Sequence, residues 1–154
     1  MVLESYFNVL GVWIAPILVS GIAAMILGGL WYSPLLFGKS WMKMLGMTEK
    51  DMGKMKNEAV KGYIIGFVAA LVMAHVLAFV SLVFVNSGGV YSRMLEEMEI
   101  GFLLWLGFIA PVILGGWLWE GKPFKLFLIN AGYYLISMLI MSSIFAAWPL
   151  PPLD

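Results

Sequence analysis

The chain has 154 residues, of which 62% are hydrophobic and only 12% are charged, and its mean hydropathy is +0.96. These values exceed what a water-soluble domain of this length carries, so a soluble globular core is excluded. The formal net charge is zero, and the absence of cysteine excludes disulfides, thiolate metal sites and thiol nucleophiles.

Four apolar runs contain no aspartate, glutamate, lysine or arginine: Val9–Leu30, Gly62–Val85, Ile100–Trp119 and Leu126–Trp148. Each has about the 20 residues that a helix needs to cross a hydrocarbon layer ~30 Å thick. Because lipid offers no hydrogen bonds to a bare backbone, each run is predicted to be a helix. The sequence therefore predicts an all-α membrane protein, a single transmembrane domain over residues 1–154 with four transmembrane helices in two hairpins. The first run is too long for a signal peptide and is expected to stay as an anchor.

The segment 31–61 joins the first two spans. Pro34 ends the first helix, and the mixture of apolar residues with Lys39 and Lys43 predicts a short helix in the membrane interface that stops at Gly46. Thr48 is placed as a helix N-cap with Asp51 in the capping-box position. The helix that begins there is expected to run directly into the second span.

The other connections are shorter. Residues 86–89 (Asn-Ser-Gly-Gly) predict a turn, and Ser92 is expected to cap a helix that leads into the third span. Glu96, Glu97 and Glu99 on that helix are interpreted as a solvated face, since three carboxylates on one helix rarely converge on a calcium ion. The turn Glu120–Pro123 predicts a tight hairpin of the third and fourth spans, and the prolines from Pro149 onward cannot continue the last helix.

The basic residues give an orientation. The loops after the first and third spans carry eight lysines, whereas the other side has only Arg93. By the positive-inside rule both lysine loops are cytoplasmic and both termini lie outside, in a multi-pass protein of the cell membrane. Tryptophans near the predicted span ends are interpreted as interfacial depth markers: Trp13 and Trp148 near the outer boundary, Trp105 a little inside it, and Trp31, Trp41, Trp117 and Trp119 at the inner boundary. Stacking of a ligand on Trp117 and Trp119 is the less favoured alternative.

Small residues recur at every fourth position in two spans. The second span has Gly62, Gly66, Ala70, Ala74 and Ala78, and the first has Ser20, Ala24 and Gly28. Such stripes let helix backbones approach closely, which matters because lipid supplies no hydrophobic force between helices. They predict helix-packing faces, within one chain or between copies in a homo-oligomer.

His75 is the only histidine and lies well inside a predicted span. An ionisable group at that depth is a functional hypothesis by default. Its candidate partners by depth are Ser20, Ser137 and the Gly107 carbonyl, which Pro111 deprives of its usual helical donor. The sharp interpretation is a midplane polar site that handles a proton or solute; the favoured one is a neutral imidazole that fixes helix packing. One histidine without a carboxylate makes no metal site, and no cofactor is predicted.

Three stretches carry a family resemblance: Trp31–Pro34 with Phe37–Met42, then Gly101–Gly107, then Glu120–Tyr133. They combine aromatics, glycines and lysines at span ends. In these stretches the chain resembles a family of small four-span prokaryotic membrane proteins that is catalogued only as a domain of unknown function. The resemblance covers nearly the whole chain and implies a fold and a membrane, without an activity or functional residues.

The preferred prediction is a non-enzymatic membrane interaction or structural component that self-associates through its small-residue faces. No phosphate-binding loop, dinucleotide fingerprint, nucleophile elbow or pair of intramembrane acids occurs in the sequence. The expected surroundings are the lipid bilayer and further copies of the chain; no nucleic acid is predicted, and a small-molecule ligand stays unspecified. The alternative is a small-solute or ion transporter or channel whose site lies near His75.

Overall fold

A computed structural model of the chain describes residues 2–84 and 90–148, with side chains at 13–48, 51, 53–54, 58–84 and 92–148. Its regular elements are α1 (Val2–Trp31), α2 (Gly38–Met44), α3 (Glu49–Phe84), α4 (Val90–Leu104), a π-helical segment (Trp105–Ile109), α5 (Ala110–Leu118) and α6 (Phe124–Ala147). The predicted turn at 86–89 and the tail from Pro149 lie outside the described residues.

The predicted all-α membrane fold is confirmed. Four helical stretches are long and apolar enough to cross a membrane: Trp13–Trp31, Glu58–Phe84, Ser92–Leu118 and Phe124–Ala147. The third of them combines α4, the π segment and α5 and begins earlier than the predicted run at Ile100. The charged residues before Ile100 therefore belong to a membrane-length helix.

Helix α6 lies at the centre of the bundle and packs against every other helix. Its sequence is apolar all round rather than on one stripe, which is typical of a helix surrounded by protein. The core it shares with α1 and α3 contains large side chains such as Trp13, Leu77, Met141 and Phe145. The indole of Trp13 stacks on Phe145 with ring centroids 5.2 Å apart. Trp13 is thus a core residue, and its assignment to an interfacial belt was wrong because α6 covers the ring.

Small residues bring α1 and α3 together. Leu71 and Phe67 fill the space over Gly21, and the sulfur of Met25 lies near Gly66. In the stripe on α3, three alanines are buried: Ala70, Ala74 and Ala78. Gly62, at the end of the same stripe, faces open space. The packing face thus covers most of the predicted stripe and leaves Gly62 uncovered.

The connection between α1 and α3 follows the predicted pattern. Gly46, with a φ of +64°, ends the segment that follows α2. The Thr48 backbone N–H donates to Asp51 Oδ2 at 3.0 Å, and the Asp51 N–H donates to Thr48 Oγ1 at 3.4 Å. This reciprocal capping box starts α3. The Thr48 hydroxyl also donates to Asp51 Oδ2 at 2.6 Å, and this bond, together with the one from the Thr48 N–H, lowers the pKa of Asp51 below its usual value. Helix α3 then continues without a break into the membrane span, as predicted.

Two local predictions need correction. Ser92 lies inside α4, which begins at Val90, so it is not the N-cap. The third span also contains a π-helical segment that the sequence analysis did not predict, in which the Ala110 N–H donates to the Trp105 carbonyl. Pro111 explains its place, because proline has no N–H with which to continue an α-helical ladder. The widened turn re-forms as α5 with Pro111 in its first turn.

Gly101 lies at a close approach between α4 and α6. A Cβ atom added there would overlap Ser142 Oγ and lie 3.2 Å from the Met138 carbonyl. We expect Gly101→Ala to reduce stability by about 1–3 kcal/mol, the usual range for overpacking. Thermal unfolding in detergent micelles measures the loss.

Gly107→Ala is the matched control for this variant, since a Cβ there meets open space in the same span. Adding Ser142→Ala to Gly101→Ala removes the hydroxyl and is expected to recover part of the loss. Equal melting temperatures for Gly101→Ala and Gly107→Ala would contradict the assigned contact.

Candidate functional site

Among the described side chains, two charged ones are buried on α4, where the sequence predicted a solvated face of Glu96, Glu97 and Glu99. Glu97 is 0% exposed and Arg93 is 7% exposed, both on α4. They lie one turn apart and four and eight residues before Gly101, so all three share the helix face that packs on α6. The prediction that Glu97 is solvated was wrong, because the membrane-length helix starts before it. Glu96 is half-buried and Glu99 is exposed.

Arg93 completes the end of α6. Its two terminal nitrogens donate to the carbonyls of Phe145 and Trp148, each at 2.6 Å. These carbonyls belong to the last turn of α6 and its C-cap, where a helix has no N–H groups left to satisfy them. A cation there also opposes the partial negative charge of the helix end. Arg93 therefore ties the start of α4 to the end of α6.

Glu97 joins α4 to α3. Its Oε2 accepts a hydrogen bond from Ser81 Oγ at 2.5 Å, and Ser81 is 1% exposed. A buried carboxylate needs compensation, and Glu97 receives it from the Ser81 hydroxyl and the charge of Arg93. Within the described part of the chain, Glu97 Oε1 and Arg93 Nε are buried without a hydrogen-bond partner. These two atoms are therefore left for further hydrogen bonds, in addition to the bonds that join the helices.

The chemistry open to this cluster is limited. A carboxylate, a hydroxyl and a guanidinium can hold helices together and can exchange a proton or bind a small polar molecule at Glu97. Among the described side chains, no group of three or more histidines, aspartates or glutamates is placed to hold a metal ion. We call Arg93, Glu97 and Ser81 the outer polar cluster, after the side of the membrane on which the positive-inside rule predicts it.

Of the four predicted midplane residues, Ser20 and Ser137 lie close together, and His75 and Gly107 lie elsewhere. Ser20 and Ser137 are both buried, on facing sides of α1 and α6. The pairs Trp13–Phe145 and Gly28–Tyr133 set the antiparallel register of these helices, which brings the two serines within about one helical turn of each other.

His75 is half-buried and lies one turn from Leu71, on the flank of α3 that packs against α1. Gly107 lies on an exposed face of the π segment, with open space around it. The opposite flank of α3, with Met73 and Leu77, faces the third span across an apolar cleft. The structure therefore does not bring His75 and Gly107 together.

The lysine-rich end of the bundle is held by aromatic donors. The Trp31 indole N–H donates to the Ile129 carbonyl at 3.0 Å, and the Tyr32 hydroxyl donates to Asn130 Oδ1 at 3.1 Å. Burial raises the pKa of Tyr32 above its usual value, with a further contribution from Tyr134, so the hydroxyl stays a donor. Trp31 also covers Gly132, which has no side chain to block the ring. These contacts fix the loop after α1 onto the start of α6.

The sequence did not predict the outer polar cluster, because each span was taken to end at the first charged residue. Arg93 and Glu97 were therefore left outside the third span. The spacing of Arg93, Glu97 and Gly101 at every fourth residue was an available signal, since it places both charges on the face of the glycine that contacts α6. The partner Ser81 carries no comparable signal, as a lone serine in an apolar helix is common.

The comparisons with known proteins identify a family. The family model described as "Protein of unknown function (DUF1761)" matches residues 15–146. The chain belongs to the DUF1761 family. The match spans all four apolar helices and both ends of the bundle described above. No curated protein and no solved structure matches the chain.

The role of Arg93 can be tested by stability. We expect Arg93→Met to cost about 1–3 kcal/mol, because two carbonyls at the end of α6 lose their donor and Glu97 loses its nearby positive charge. The stability of Arg93→Lys should lie between those of the wild type and Arg93→Met, since an ammonium is a single point donor and a guanidinium can donate to two acceptors at once. Thermal unfolding in micelles gives the order of the variants.

Glu99→Gln is the control, because Glu99 is an exposed acid on the same helix. Adding Glu97→Gln to Arg93→Met removes the uncompensated charge and is expected to restore part of the stability. A melting temperature for Arg93→Met equal to that of Glu99→Gln would show that the guanidinium does not hold α6.

Proposed function

We propose that this DUF1761 protein is a non-enzymatic component of the bilayer that acts by packing against membrane partners, further copies of itself included. The observation that carries the proposal is the use of its buried polar side chains. Arg93, Trp31 and Trp105 each donate to backbone carbonyls of α6. These donors, and Glu97 through its bond from Ser81, are engaged in joining helices.

An apolar gap in the bundle also favours this proposal. A cleft of about 360 Å³ separates α3 from the third span and is lined by apolar side chains, among them Val72, Val76, Leu104 and Phe108. A path for ions or polar solutes needs polar groups along its walls. An apolar cleft at this depth suits lipid chains or a neighbouring helix.

Self-association and orientation are parts of the same proposal. Gly62 ends the small-residue stripe of α3 with open space before it, and the side chains beside it, such as Tyr63 and Ile65, are exposed. A second α3 could approach there at close backbone distance. The lysine-rich loops are proposed to be cytoplasmic, in the cell membrane with both termini outside.

Cysteine cross-linking tests self-association. The chain has no cysteine, so Gly62→Cys is a single-cysteine variant. In membranes treated with a mild oxidant, we expect it to form a disulfide-linked dimer visible on a non-reducing gel. Gly29→Cys is the matched control, since Gly29 is equally uncovered and lies near the same end of the bundle, on α1. Equal cross-linking at both positions would indicate random collision and contradict the proposed face.

One observation favours transport as a second candidate function. Glu97 is an acid with 0% exposure inside a membrane-length helix, and its Oε1 has no hydrogen-bond partner among the described groups. Buried intramembrane acids are frequent in proton and ion pathways. The transport site would then lie at the outer polar cluster, with the His75 flank about two helical turns further into α3.

Flux measurements separate the two candidates. Proteoliposomes that contain a pH-sensitive dye are exposed to a pH gradient, and we expect wild-type protein to leak protons no faster than empty liposomes. Glu97→Gln and His75→Phe should then leave the rate unchanged, with Glu99→Gln as the exposed control. A wild-type flux that Glu97→Gln or His75→Phe abolishes would contradict a passive component and support transport.

A further inference from the structure

A cavity of about 230 Å³ opens at the lysine-rich end, between α2, α5 and the start of α6. Its walls are aromatic and aliphatic: Trp41 comes from α2, Trp117 and Val112 from α5, and Phe127 from α6. Three polar residues, Glu120, Lys122 and Asn130, complete the lining. We call this space the headgroup cavity.

The backbone shape gives Lys122 its place. The Lys122 N–H donates to the Gly116 carbonyl at 3.1 Å, and its side chain passes 3.4 Å from where a Cβ of Gly116 would stand. Gly121, with a φ of +67°, allows the turn that folds the lysine back. The Lys122 ammonium pairs with Glu120 Oε2 at 2.5 Å in a partly exposed ion pair. Exposed pairs of this kind contribute little to stability, so the lysine is available for exchange to another anion.

Asn130 adds a neutral donor. Its Oδ1 accepts the hydrogen bond from Tyr32, so the amide nitrogen, which carries two hydrogens, is the end left for other acceptors. An ammonium and an amide in one small cavity suit an oxygen-rich anion such as a phosphate.

The surroundings favour a lipid as the source of that phosphate. The cavity lies at the end of membrane-spanning helices α5 and α6, where headgroups are found. Lys39, Lys43 and Lys125 are further exposed cations on α2 and α6, and Glu120 is the acid within the cavity. Exposed Trp119 and half-exposed Trp117 are suited to the same depth. A basic rim and aromatic walls together match a phosphodiester joined to acyl chains.

We propose that the headgroup cavity binds the phosphate of an anionic phospholipid, with Lys122 and Asn130 as its donors and the aromatic walls against its glycerol backbone. Glu120 competes with the lipid for Lys122. This inference is independent of whether the protein is a passive component or a transporter.

Native mass spectrometry of the detergent-purified protein, titrated with dioleoylphosphatidylglycerol, tests the proposal. We expect Lys122→Ala to weaken binding about five- to tenfold, the effect of losing one direct cationic contact. Lys125→Ala is the matched control. Lys125 is also exposed and lies in the first turn of α6, at the same end of the bundle, but it does not line the cavity. It should bind like wild type.

Glu120→Gln gives the opposite sign. It frees Lys122 without removing a donor, so we expect tighter lipid binding, a gain that misfolding could not produce. Dioleoylphosphatidylcholine is the probe for charge, and glycerol phosphate at matched concentration is the probe for a free anion.

Three outcomes would overturn the proposal. Equal losses in Lys122→Ala and Lys125→Ala would reduce it to general attraction to a basic surface. Equal binding of phosphatidylcholine would remove the charge recognition. Displacement of the lipid by an equal concentration of glycerol phosphate would make the site one for a soluble phosphate ester instead of a lipid.

Discussion

Side chains of the neighbouring helices donate hydrogen bonds to backbone carbonyls of α6, and the rest of the bundle packs around these bonds. The indoles of Trp31 and Trp105 reach the carbonyls of Ile129 and Ala131 at 3.0 and 2.9 Å, in the first half of that helix. A helical carbonyl has a second lone pair, so it can accept such a bond without giving up its own ladder partner. In hydrocarbon no water competes for these donors, and each bond fixes the depth and rotation of one helix against α6.

Close approach is what allows these bonds. Small residues stand where the donors arrive: Ala131 and Gly132 on α6 lie beneath the two indoles, and Gly28 lies beneath the ring of Tyr133. At the other end, Gly101 brings α4 onto Ser142, and Arg93, about two helical turns earlier in α4, thereby reaches the carbonyls at the end of α6. Packing by small residues and hydrogen bonding by large ones therefore act together, since Gly132 leaves room for the Trp31 ring and Gly101 lets α4 approach α6.

The sequence could predict the elements whose causes are local. Span lengths follow from the apolar runs, and the capping box of Thr48 and Asp51 and the stop near Gly46 follow from residues within one turn. The burial of Glu97 and Trp13 could not be predicted in this way. The burial of each depends on the residue that faces it. Glu97 faces Ser81, sixteen residues earlier, and Trp13 faces Phe145, near the other end of the sequence, and neither pairing can be read from a local pattern. The π segment lies between these cases, because Pro111 indicated a missing donor but not the way in which the helix would accommodate it.

The two ends of the bundle use charge in opposite ways. At the outer polar cluster the charges are enclosed: Arg93 is covered by the end of α6, and Glu97 is covered by α3 and α6, so their interactions act at low dielectric and are costly to disrupt. At the lysine-rich end the charges are exposed, and the pair of Lys122 with Glu120 exchanges with the surroundings at little cost. The charges are therefore fixed at one end of the bundle and free to change partners at the other. Ligands and partners that bind by charge should be sought first where the lysines are, because access to Glu97 from outside the bundle requires that α3 and α4 separate at Ser81.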